Sequence, residues 1–180
     1  FSFSYQDTSN DKYLKLYQIQ SNLVDYNTTN LESSIDFTHE KDDLFLGLNA
    51  RVYESLKESY NDKYEFILPE ITLDKNLFSD NNLGSLNLQS NLKIHNFDTN
   101  KFTNFFVNDF NWEKDLNFQS GLTGRLLSNI KNINYEARNV DLYKKSYTNE
   151  LYGALGYLSQ IELVKNINNT YQTLIPKVFF

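Results

Sequence analysis

The sequence predicts an all-β chain, an antiparallel up-and-down meander of about nine or ten strands, and three observations predict it. Apolar residues recur at every second position in several separate stretches. Clusters of turn-forming residues divide those stretches at near-regular intervals. Glycine and proline are scarce, six and two in 180 residues, so few positions break the extended pattern.

The elements follow in chain order. Residues 12–24 form the first candidate strand. In the next, Leu31, Ile35 and Phe37 oppose Asn30, Glu32, Ser34, Asp36 and Thr38. A third sets Leu44, Leu46, Leu48, Ala50 and Val52 against Gly47, Asn49, Arg51 and Tyr53. Residues 64–73 come next, and then the cleanest alternation of the chain. Over residues 84–96, Leu86, Leu88, Leu92 and Ile94 take one parity, while Ser85, Asn87, Gln89, Asn91, Lys93 and His95 take the other. Residues 101–112 alternate least, because Phe105, Phe106 and Val107 place apolar groups on both faces. Phe118, Leu122, Leu126 and Ile130 then oppose Gln119, Thr123, Arg125 and Asn129, and residues 150–163 and 171–180 complete the set. Some helical spacing runs through residues 126–133, but Asn129 and Asn132 weaken it, and no helix is expected anywhere. Turn formers occupy residues 7–11, 25–28, 40–43, 59–62, 79–84 and 98–100. Their spacing, about 16–20 residues, suits strands of about ten to fourteen residues better than the shorter strands of a sandwich.

Composition excludes several classes of function. Without cysteine there is no disulfide scaffold, thiol nucleophile or Cys-based zinc site. A net charge of −6, with 17 Lys and Arg dispersed along the chain, gives no footprint for nucleic acid. No apolar run reaches the roughly 20 residues of a membrane-spanning helix, and no signal-peptide pattern opens the chain. The mean hydropathy of −0.56 still permits a membrane β-barrel, whose strands alternate in polarity. The chain has no methionine, starts on Phe1-Ser2-Phe3 and stops on Val178-Phe179-Phe180, so residues 1–180 are expected to be an internal piece with no complete domain boundary.

Two architectures generate this alternation. A soluble sandwich hides its apolar face against a second sheet, whereas an outer-membrane barrel points it at lipid and lines a wet lumen with amides, hydroxyls and charges. Strand length and the abundance of Tyr and Phe favour the barrel. Tyr13, Tyr17, Tyr26, Tyr53, Tyr60 and Tyr64 fall toward strand ends, where a barrel carries its aromatic girdles. Aromatic residues are also simply good strand formers.

Little in the chain could carry catalysis. His39 and His95 stand near strand ends without metal-ligand spacing and read as solvated residues of the polar face. Residues 80–84 lack the glycine and glutamate of a calcium loop and read as a hairpin turn. Glu40, Asp42 and Asp43 read as a solvated loop, with a cation bridging them to anionic lipid as the alternative. The carboxylate pairs Glu65 with Glu70 and Asp141 with Glu136 are expected on different faces or in loops. No nucleophile elbow and no phosphate-binding glycine loop is present, so no enzymatic function, cofactor or metal is expected.

The two prolines interrupt strand-like runs, Pro69 in Tyr64-Glu65-Phe66-Ile67-Leu68-Pro69-Glu70-Ile71 and Pro176 in Leu174-Ile175-Pro176-Lys177. Lacking an N–H, each is expected at an edge, a bulge or a weakened pair. These two segments, in this order and separated by several strands, resemble the barrel region of the lipopolysaccharide-assembly outer-membrane protein family LptD, the organic-solvent-tolerance proteins. Residues 31–37 and 46–53 also resemble the strands that precede the family's first proline segment. The likeness spans residues 13–180, without the family's periplasmic jelly-roll domain, its cysteines or its terminal barrel strands.

The resemblance implies part of a large transmembrane β-barrel in the Gram-negative outer membrane. Its implied partners are lipopolysaccharide, a plug lipoprotein in the lumen and a periplasmic bridge protein. It places Leu44, Leu46, Leu48, Leu86, Leu88, Leu92 and Ile94 against lipid, and Asn49, Asn87, Gln89 and Asn91 in the lumen. Arg51, Lys93 and Arg125 become candidate contacts to phosphorylated sugars. The plainer alternative for these cations is ion pairing with Glu54 or Asp109. Two other functions stay open: a porin-like channel or receptor, and a soluble antiparallel binding module. An isolated sheet of this kind, with two long free edges and a large apolar face, is not expected to fold alone in water.

Overall fold

In a computed structural model, the alternating stretches pair into one antiparallel sheet. The structure describes residues 1–180 apart from Leu23, residues 58–62, Thr99, Lys145 and residues 168–169. The elements are β1 (Ser2–Ser4), α1 (Tyr13–Leu16), β2 (Asn30–Lys41), β3 (Leu44–Ser55), β4 (Tyr64–Asp80), β5 (Gly84–Phe97), β6 (Lys101–Asn117), β7 (Leu122–Arg138), β8 (Thr148–Ile161), β9 (Leu163–Ile167), β10 (Thr170–Leu174) and β11 (Lys177–Phe179). Among the described residues, nine of these eleven strands form a single sheet in the order β1-β2-β3-β4-β5-β6-β7-β8-β11, every neighbour antiparallel. The sheet is open, with β1 and β11 as its outermost strands. The chain is all-β and a meander, as its periodicity predicts.

Tight turns set the register. Only Asp42 and Asp43 separate the paired Lys41 and Leu44, with Asp42 at φ +50°. At the next hairpin Asp80 Oδ1 accepts hydrogen bonds from the main-chain N–H groups of Asn82 and Leu83, at 2.7 and 3.0 Å. Gly84 follows at φ +87°, where a Cβ would lie 2.2 Å from the Glu113 carbonyl oxygen. Residues 80–84 are thus the hairpin expected of them. The turn expected at 59–62 lies outside the described residues.

Three expectations need correction. Residues 12–24 are not a strand: they hold the single-turn helix α1 and turns, and α1 docks on the end of β2 and β3. Its Leu14 packs with Leu31 and Leu56, flanked by Ile19 and Val24, so local alternation yielded to burial of one apolar cluster. Residues 171–180 are not one strand. They break at Ile175 and Pro176 into β10, paired with β9, and β11, paired with β8. The strand begun at Tyr64 runs on to Asp80 instead of ending near Leu73; at 17 residues, the length also of β6 and β7, it spans roughly 56 Å.

Apart from α1 at the ends of β2 and β3, no described element lies on the sheet: each long strand touches only its sheet neighbours and the β9–β10 hairpin touches only itself. No described side chain is fully buried. The apolar positions that a sandwich would seal remain partly exposed.

Candidate functional site

Register assigns every side chain of the long strands to one of two faces. On one face lie Leu44, Leu46 and Leu48 of β3, facing Leu73 and Ile71 of β4, and Leu86, Leu88, Leu92 and Ile94 of β5, facing Trp112, Phe110 and Phe106 of β6. All seven leucine and isoleucine positions singled out from the sequence therefore share one face. Nothing described covers its middle.

Aromatic residues border this apolar face at both ends. Tyr64, Phe66 and Phe102 stand at one rim, with the Arg138 guanidinium 4.9 Å over the Phe102 ring. Phe78, Trp112 and Tyr157 stand toward the other. Along β6, Phe102 and Trp112 are ten residues apart. That is ~34 Å of strand, or ~24 Å across a membrane at a tilt of about 45°. Of the tyrosines expected at strand ends, Tyr64 is at this rim and Tyr13 and Tyr17 are on or beside α1. Tyr26 is in a turn, Tyr53 is on the opposite face of β3, and Tyr60 lies outside the described residues.

The apolar face is not uniformly oily. Ser90, Asn108 and Asn132 form a row across β5, β6 and β7, with Asn134 one pair beyond. These groups bond to one another: Ser90 Oγ donates to Asn108 Oδ1 at 2.7 Å and Asn134 Nδ2 to Asn132 Oδ1 at 2.5 Å. Sequence reading missed this row, because Asn108 sits in the stretch where both parities carry apolar groups.

The opposite face is a lattice of ion pairs and amides. Arg51 reaches Glu70 at 3.2 Å, Asp36 at 3.4 Å and Glu32 at 3.7 Å, and Lys93 lies 3.9 Å from Glu70. Arg125 holds Asp115 at 2.6 Å and Glu113 at 3.6 Å. The three candidate cations are thus each held by carboxylates, but not by those named in advance. Glu54 points to the apolar face and takes Lys63 at 2.7 Å; Asp109 takes Lys131 at 2.8 Å. Amides fill much of the rest, while Phe105 and Val107 of β6 and Tyr135 and Ile133 of β7 put an apolar cluster on the same face. Gln89 donates to Asp74, Asn91 to Thr72, Asn76 to Asn87, and Asn129 to both Asp109 and Asn111.

Pro69 explains a further correction. One extra residue of β4 is inserted against both neighbours, between the pairs Ile67–His95 and Glu70–Lys93 on β5 and between Asn49 and Arg51 on β3. Pro69 sits inside this bulge, where its missing N–H breaks no ladder bond. The insertion changes parity, so Glu65 and Glu70 share the polar face instead of lying on opposite ones. Glu65 then meets His95, Oε1 to Nε2 at 2.6 Å, a contact 30 residues apart that local spacing could not show. His39 departs from its expected place too, standing on the apolar face opposite Leu46. Pro176 lies in the break between β10 and β11, and its carbonyl accepts from the Ile161 N–H at 3.4 Å.

Lys63 ties the N-terminal segment to this end of the sheet, lying 3.1 Å from Asp11 as well as 2.7 Å from Glu54. Hydrogen bonds to Glu54 and then Asp11 hold its ammonium well above the ordinary lysine range. Among the described residues no group of three or more His, Asp or Glu side chains comes together as a metal site, and no helix is long and apolar enough to cross a membrane. No model of a known protein family matches the chain, and no curated protein matches it.

Proposed function

We propose that this chain is a stretch of the wall of a Gram-negative outer-membrane β-barrel that moves lipopolysaccharide into the outer leaflet, acting as a conduit and not as a catalyst. One observation carries the membrane part of the reading. An apolar face, open over its middle, is bordered by aromatic rims ten residues apart along β6, a separation that a barrel tilt of about 45° would turn into ~24 Å, against the band of about 25 Å expected of such barrels. The all-antiparallel meander adds support, since in lipid each strand must satisfy its backbone groups through its neighbours. So does the contrast between the two-residue turn at Asp42 and Asp43 at one end of the sheet and the connection of residues 139–147 at the other.

The lipopolysaccharide part rests on the two proline segments that resemble LptD, and the polar face is compatible with it. Asn87, Gln89 and Asn91 offer amides to sugar hydroxyls. Phosphorylated sugars would meet Arg51, Lys93 and Arg125 only by exchanging with Glu70, Asp36 or Asp115, since each cation already has a carboxylate partner. A plug lipoprotein against the polar face and a periplasmic bridge protein belong to the same proposal.

A photo-crosslinking amino acid at Asn91 and, separately, at Leu92 tests it in living cells. Light is expected to give an adduct with lipopolysaccharide sugar at Asn91 and adducts with lipid at Leu92. Lipid adducts at Leu92 with no sugar adduct at Asn91 would leave a barrel of another kind. Absence of lipid adducts at Leu92 would overturn the membrane reading.

A further inference from the structure

We infer that the N-terminal segment around α1 is a membrane anchor on the outside of the wall, with Tyr13, Leu16 and Tyr17 resting in the lipid headgroup layer. The inference rests on the proposed membrane reading of the sheet and adds a second, separate contact with the bilayer.

Its placement comes first. The inner side of α1 is Leu14, 8% exposed, packed on Leu31 and Leu56. Leu31 pairs with Glu54 and so belongs to the apolar face, which puts α1 on the side that would meet lipid. The level is set by Lys63: it binds Asp11, just before α1, and stands 6.0 Å over the ring of Tyr64, a residue of the aromatic rim. The helix therefore lies at the rim and continues it sideways past β3.

The outer side of the segment gives the chemistry. Leu16 is 71% and Tyr17 64% exposed, the Tyr13 ring packs against that of Tyr17 with centroids 4.8 Å apart and planes tilted by 51°, and Lys15, between them in sequence, is exposed. Two tyrosines and a leucine side by side gain nothing from facing water. At a bilayer surface their rings and methyl groups enter the acyl boundary, while the phenol hydroxyls and the lysine ammonium stay among headgroups. A single helical turn is too short to hold such a position alone. The Leu14 cluster and the Lys63 clasp hold it from beneath.

Trp112 is the chain's single tryptophan and lies at the opposite rim, so it reports the wall independently. The test compares it with Leu16→Trp and Tyr17→Trp, each combined with Trp112→Phe, in phosphatidylcholine vesicles brominated either near the headgroup or near the chain end. Loss of emission is expected for Trp112 and for both new tryptophans, with the shallow bromines quenching the new ones more. Quenching of Trp112 with none at positions 16 and 17, or stronger quenching there by the deep bromines, overturns the anchor and leaves the wall standing. No quenching at any of the three positions overturns both.

Discussion

An arginine placed on each face of β5 separates a lipid-facing wall from a sheet bathed in water. Leu92 pairs with Phe106, which is four residues from Phe102 and six from Trp112, so it lies within about one residue of the midpoint between the two aromatic rims. At a membrane midplane Leu92→Arg is expected to cost about 2–4 kcal/mol, a factor of roughly thirty to several hundred in the folding equilibrium. Gln89 is on the other face, donating to Asp74 at 2.9 Å and paired with Asp109. Gln89→Arg gains two carboxylate neighbours there and is expected to change stability by less than about 0.5 kcal/mol. Urea unfolding of the chain in lipid vesicles, followed by Trp112 emission, measures both. If Leu92→Arg costs no more than Gln89→Arg, hydrocarbon is not the neighbour of Leu92 and the reasoning fails.

Four other outcomes can be checked more briefly. Arg51→Gln strips the guanidinium from Glu32, Asp36 and Glu70, and is expected to cost about 1–2 kcal/mol, shrinking as salt screens the remaining repulsion in a denaturant series. Gly84→Ala puts a Cβ against the Glu113 carbonyl at positive φ, and should lower stability in vesicles by more than about 1 kcal/mol. Because Lys63 is held above the ordinary lysine range, its stabilising effect is complete below the unfolded value of about 10.4 and lost as pH rises through the folded one. The gap in melting midpoint between the native chain and Lys63→Met should accordingly be constant from about neutral pH, where Glu54 and Asp11 are charged, to about pH 10 and close in stronger alkali. In water without detergent the chain should neither stay monomeric nor unfold cooperatively, and sedimentation with circular dichroism would show a soluble, cooperative monomer if the open-edge argument is wrong.

Period-two alternation determined much of this protein by itself. It distributes Leu44 to Val52 and Leu86 to Ile94 between two faces, and the short Asp-rich and Asn-rich turns leave consecutive strands no choice but to pair as neighbours. What lies across from what is a property of register, and register is decided only when the whole sheet assembles. The extra residue at Pro69 reverses parity within one strand and brings Glu65 to the same face as Glu70, beside His95. Across three strands Ser90, Asn108 and Asn132 line up on a face that each strand alone would label apolar. Residues 12–24 illustrate the strongest override, since their pattern suits a strand. Burial of Leu14 against Leu31 and Leu56, from two distant parts of the chain, outweighs it because local propensity is worth tenths of a kcal/mol while a buried leucine is worth about 1.5–3.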